Sequence, residues 1–202
     1  FDGQPSGLSK MNLFMVALAS AVFLVNETPA NAQAFGLQMG QKLDELDVKS
    51  DQGGQNYQII PPLPHPDFEN YMAVVTQKAG LCRVLGIGKT FSNDSYGSYA
   101  KSTFNRLENF LNAKYGPSKR FDFLKTKSIW NEDREWVMSI LKNERVLTSY
   151  WGFEKPKLPN ELRINLSVRA LSSSESYLNI FYEFANIEAC TEELKATSNR
   201  GL

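Results

Sequence analysis

The chain holds two cysteines, Cys82 and Cys190, and a single histidine, His65. A nucleophilic Ser or Cys needs a base that a third group holds in place. His65 stands between Pro64 and Pro66, rigidly placed and with no local partner evident. A structural or surface role is expected for it. A structural zinc site takes four Cys or His ligands, so neither a metal nor any other cofactor is expected. In an exported protein a lone pair of cysteines bridges more often than not. A Cys82–Cys190 bridge would close a long loop, worth up to about 4–5 kcal/mol. The alternative is two separate buried thiols acting as small apolar groups.

Other candidate motifs are incomplete. Gly86-Ile-Gly-Lys-Thr90 resembles the end of a phosphate-binding loop, but Arg83 stands where the first glycine belongs. "FSNDSYG" then follows where a helix should cradle the phosphate. Glycines inside a strand mark a bulge or a close approach. Ser98-Tyr-Ala-Lys101 matches the Ser-x-x-Lys of penicillin-recognising enzymes, yet neither Ser-Asp-Asn nor Lys-Thr-Gly occurs. Ser98 is expected to cap a helix. The neighbouring acids Asp67/Glu69 and Glu132/Asp133/Glu135 could serve acid–base chemistry only if the fold set two of them about 5–9 Å apart across a cleft. Trp130, Trp136, Tyr150, Trp151 and Phe153 crowd into a short stretch. Such residues anchor binding surfaces and also fill cores. With His65 they make up the candidate interface.

The elements that position these residues follow an apolar leader. Leu13–Val25 carries no charge and follows Lys10. As a helix it would reach roughly 20 Å, short of a bilayer core of about 30 Å. It has the length of a signal-peptide core. Pro29 and then Ala30-Asn31-Ala32 follow, so cleavage is expected between Ala32 and Gln33. Residues 1–32 are read as leader and signal peptide, and 33–202 as one domain. No cysteine stands at the cleavage position, so no lipid anchor is expected. Lys plus Arg equal Asp plus Glu at 22 each, and loss of the leader leaves a near-neutral chain. That balance gives no footprint for nucleic acid or an anionic membrane. A composition 42% hydrophobic and 12% aromatic is that of a globular protein.

Residues 36–50 are expected to form a short helix and 55–60 a strand. Prolines 61, 62, 64 and 66 force an extended connector. Strands are expected at 71–77 and 81–91, joined through Lys78-Ala79-Gly80. The spacing of Phe104, Leu107, Phe110 and Leu111 predicts a helix ending at Gly116-Pro117. A second helix is expected over 131–144, capped by Asn131. Strands at 145–153, 161–171 and 176–184 follow; the middle one alternates apolar and polar throughout, so one face is buried. A closing helix at 187–196 would carry Cys190 back to the strand of Cys82. The expected class is α+β, with helices packed on one face of an antiparallel sheet. Two α-βββ modules, 36–91 and 98–202, would stand in tandem.

The element order, the export signal and the opening Gly36–Leu46, "GLQMGQKLDEL", resemble small bacterial envelope proteins with an α-βββ plan. These include secreted β-lactamase-inhibitor-like modules and the small lipoprotein of outer-membrane barrel assembly. Gln41 replaces their usual Thr. The ending "YEFANIEAC" (Tyr182–Cys190) is similar to that of further exported envelope proteins. The resemblance implies a fold and an envelope role and names no active residue. The expectation is a periplasmic or secreted protein, not an enzyme, that binds another envelope or secreted protein as assembly factor, inhibitor or immunity-type partner. The alternative is a small secreted hydrolase working with carboxylates.

Overall fold

The computed structural model describes residues 33–154 and 157–198. The cleavage residues Ala30 and Ala32 lie outside them, and Gln33 opens a two-stranded ribbon of β1 (Gln33–Ala34) and β2 (Leu37–Gln38). A meander of β3 (Asp47–Asp51), β4 (Asn56–Ile60), β5 (Phe68–Thr76) and β6 (Gly80–Gly88) comes next. Helix α1 (Ser98–Tyr115), β7 (Lys119–Leu124) and helix α2 (Trp136–Leu141) lead into a second meander. It consists of β8 (Arg145–Trp151), β9 (Arg163–Ala170) and β10 (Ser176–Glu183), and α3 (Ile187–Ser198) closes the described chain. All eight longer strands join one antiparallel sheet in the order β3-β4-β5-β6-β10-β9-β8-β7. The last strands of the two meanders, β6 and β10, pair at its centre. The class is therefore α+β, built on a large antiparallel sheet.

Alternation along the strands sorts the two sheet faces. Tyr71, Gly86, Ile180, Leu166 and Ser149 stand in one row across five strands. With Ala73, Val84, Tyr182, Ile164 and Trp151 they make up the face on which α1 packs, through Glu108 on Ser149 and Asn112 on Trp151. Helix α1 buries Phe104, Leu107 and Leu111 there. Phe110, expected on that apolar side, is 62% exposed instead. Gly86 has no room for a side chain: a Cβ would meet Phe35, Phe68 and Ile180 within 3.0–3.2 Å. Its place within a strand excludes a phosphate loop. Asp94 opens α1 by accepting the backbone N–H groups of Ser98, Tyr99 and Ala100. Ser98 is thus the first helical residue and not the cap.

Two further expectations are corrected. Residues 36–50 do not form a helix. Gly36 and Gly40 take left-handed backbone at φ +82° and +79°. The Gly40 N–H then donates to Leu81 O, and Leu81 N–H to Gln41 O, at 2.9 and 2.8 Å. This tie to β6 outcompetes a helix whose apolar side is weak. Only a 3₁₀ turn, Leu43–Glu45, remains before β3. The expected second helix begins as a 3₁₀ turn at Asp133–Glu135, with Glu132 rather than Asn131 before it.

Helix α3 forms its own small cluster. Between Val74 and Val75 the β5–β6 register slips. Leu81 joins the main core, while Cys82 packs with Ile187 and Cys190; bulges re-aim side chains in this way. Cys82 and Cys190 are disulfide-bonded, with Cα atoms 6.5 Å apart. The Glu193 carboxylate accepts the N–H groups of Lys78 and Ala79 at 3.1 and 2.9 Å, which fixes α3 to the β5–β6 turn. Desolvation works to raise the Glu193 pKa, but these two bonds, with Thr76 and the Lys78 charge, outweigh it and hold the group below the ordinary glutamate value. A carboxyl depressed in the folded state stabilises it above its unfolded pKa, and that contribution is lost as pH falls through the folded value. Thermal unfolding of Glu193→Gln should therefore lie below wild type near neutrality and converge with it as the medium is acidified through the carboxylate range. A gap that stays constant with pH would contradict this.

Candidate functional site

The second face of the sheet lies opposite α1. Met72, Leu85, Phe181, Asn165 and Tyr150 form one cross-strand row there, each half-buried. Side chains directly opposite on antiparallel strands stand side by side, so the row is continuous from β5 to β8. Above it runs a charged row of Arg83, Glu183 and Arg163. The Arg83 Nη2 donates to Glu183 Oε1 at 2.6 Å. Below it runs a polar row of Asn179, Ser167 and Thr148 that ends at Phe121 of β7.

At the β7–β8 end the rings of Phe121, Tyr150 and Phe153 meet edge to face, with centroids 5.9 and 5.3 Å apart. This is the favoured arrangement of aromatic pairs. Lys119 lies 5.6 Å from the Phe121 ring, and the Arg163 guanidinium 5.9 Å from Phe153. A cavity of about 770 Å³ opens beside them, walled by Pro117, Phe121, Tyr150, Phe153 and Leu158. Its polar rim carries Lys119, Lys157 and Glu154, and Lys119 is paired with Glu154.

The expected interface residues divide. Tyr150 and Phe153 reach the surface together. Trp151 is 2% exposed, with its Nε1 donating to Asn112 Oδ1 and Gly116 O, both at 3.1 Å. It is a core residue. So is Trp136, which packs against Gly97; a Cβ there would fall 2.0 Å from the ring. Trp130 is half-buried in the β7–α2 connection. His65 lies in the proline-rich β4–β5 connector, its ring near Phe68 and 3.4 Å from the Asp67 carboxylate. The aromatic cluster is therefore smaller than the sequence suggests and gains Phe121 from an unexpected strand.

Asp67 holds Arg106 of α1 through two bonds at 2.8 and 2.9 Å. Glu132 and Glu135 shape the turn before α2. A different carboxylate is buried: Glu108, 6% exposed, on the inner side of α1. It accepts from Ser118 Oγ at 2.9 Å, from Ser149 Oγ and from Arg120 Nη1 at 2.6 Å. Burial works against the Arg120 charge, and the bonds to Asp122 and Glu108 outweigh it, so its pKa is raised. With both charges satisfied, the pair serves packing. Among the described residues no group of His, Cys, Asp and Glu is placed to hold a metal, and no helix is long and apolar enough to cross a membrane.

No protein-family model, curated protein or solved structure matches the chain.

Proposed function

We propose that this chain is an exported protein of the bacterial envelope, periplasmic or secreted, that works by binding another protein through the second face of its sheet. The observation that carries the reading is the edge-to-face group of Phe121, Tyr150 and Phe153 beside an apolar cavity. Aromatic anchors next to a pocket, ringed by polar side chains, have the composition of a binding hot spot. Lys157 and Arg163 beside it favour a partner segment with an apolar anchor and acidic flanks. The Cys82–Cys190 bridge and the leader with its Ala-Asn-Ala seam support an oxidising compartment. The resemblance to α-βββ envelope modules supports the same assignment.

The double substitution Phe121→Ser and Phe153→Ser tests it. Both side chains are exposed, so unfolding should shift little. Binding to the envelope partner should weaken about 30-fold or more, as hot-spot truncations do. Unchanged binding would overturn the assignment of this surface.

A further inference from the structure

A second cleft, of about 580 Å³, opens where the turn after α2 meets β8, β9 and β10. Lys125, Arg145 and Arg169 line it, and no carboxylate does. Among the described residues none of these three cations forms an ion pair. Arg145 turns its guanidinium to α2, on the side of Ser149 and Trp151, with its Nε donating to Ser139 Oγ at 3.0 Å and the Trp136 ring 5.9 Å away; Arg169 and Lys125 remain for the cleft. In the cleft lies Ser167, 5% exposed, whose Oγ has no hydrogen-bond partner. A buried hydroxyl without a partner is uncommon and calls for an explanation. The neighbouring polar groups do not supply one. Asn165 Nδ2 donates to Thr148 Oγ1 at 2.6 Å, and Thr148 Oγ1 donates to Leu166 O at 3.0 Å. Tyr150 and Tyr177 complete the walls with aromatic surface and phenol groups.

We infer that this cleft binds a small hydroxylated organic anion of the acidic-sugar or sugar-phosphate class. The acid group is held by Arg169 and Lys125, and a ligand hydroxyl pairs with Ser167 Oγ. Two unpaired cations without a carboxylate favour an anion. The unpaired Ser167 hydroxyl beside tyrosine rings suits a hydroxylated, ring-shaped body. Tyr150 walls both this cleft and the partner surface, but Arg169 and Ser167, which carry the inference, lie outside the Phe121–Tyr150–Phe153 group.

The test is titration of the purified, disulfide-intact chain with D-glucuronate, D-glucose 6-phosphate and D-glucose, followed by amide NMR shifts. At least one anion should bind about tenfold tighter than glucose, with shifts centred on β8–β10, and the better anion identifies carboxylate or phosphate as the preferred group. Arg169→Gln should weaken that binding about tenfold, and Ser167→Ala about threefold to tenfold. Ser167→Ala should leave the unfolding midpoint unchanged or slightly raised, since it removes an unpaired buried hydroxyl, so lost binding cannot be ascribed to lost folding. Phe121→Ser, Phe153→Ser should bind the anion normally. Failure of both anions to bind at 10 mM or below, glucose binding as well as either, or binding indifferent to both substitutions would overturn the inference.

Discussion

Reduction of the Cys82–Cys190 bridge, or its replacement by two alanines, is expected to lower the unfolding midpoint by about 6–15 °C. The bonded residues are 108 apart in sequence. On the chain-entropy model a loop of this length contributes up to about 4.7 kcal/mol, and measured values fall somewhat below that. For a domain of this size, about 3–4 kcal/mol corresponds to the stated shift. The loss should be uneven along the chain. The buried cluster at α3 is small, formed by Cys82, Ile187 and Cys190 with Ala79 packed against them. Beyond it stand the Glu193 carboxylate and the Asn186 amide, which donates to Ala79 O and Leu81 O at 2.9 and 3.0 Å. Without the bridge, amides of α3 should exchange with solvent well before those of β6 and β10, as sub-global opening predicts. Intact mass before and after reduction would register the bridge as a gain of two hydrogens. A midpoint indifferent to reductant, or an α3 as protected as the central strands, would contradict this account.

Glu108→Ala is expected to destabilise the fold by about 3 kcal/mol. Removing one partner of a buried ion pair costs about 3–5 kcal/mol. Arg120 keeps about a third of its side chain in solvent, which places the expectation at the lower end. Part of the cost comes from Ser149, fully buried, whose hydroxyl would lose its acceptor. Glu108→Gln retains an acceptor for Ser118 and Ser149 and should cost about half as much. A double-mutant cycle with Arg120→Met should return a coupling of at least about 1 kcal/mol. Denaturant unfolding of the four proteins measures it. A Glu108→Ala variant within about 0.5 kcal/mol of wild type, the range of ordinary surface changes, would show that the pair is not the structural tie proposed.

Strong periodic patterns were legible in the sequence. The unbroken alternation of Leu162, Ile164, Leu166, Val168 and Ala170 belongs to a strand with one buried face, and the Phe104-Leu107-Leu111 stripe belongs to α1. The two cysteines were legible as a pair because a lone pair behind an export leader more often bridges, with the closing helix expected to carry Cys190 back to the strand of Cys82. What sequence reasoning missed depended on partners distant in the chain. Residues 36–50 carry a weak helical pattern, and their backbone is claimed by Leu81 through hydrogen bonds. Strand β7 alternates Arg120-Phe121-Asp122-Phe123 in period two, a signal masked by its charges and by Pro117 just before it. Glu108 sits four residues after Phe104 and three before Leu111, a charge inside an apolar stripe that could have marked a buried ion pair. Trp151 and Tyr150 alternate across the sheet, so adjacent aromatic residues face opposite ways; sequence crowding made one cluster of what the strand divides between core and surface.

Site-specific photo-crosslinking in the host envelope tests the binding role most directly. A benzophenone side chain would replace Phe121 on the second sheet face, and in a separate variant Phe110 on the exposed side of α1. The account predicts one discrete covalent adduct from position 121, to the same partner in repeated preparations. That adduct should be absent from position 110 and lost when Phe153→Ser is added. No adduct at 121, or the same products from both positions, would contradict a partner-binding role for this face.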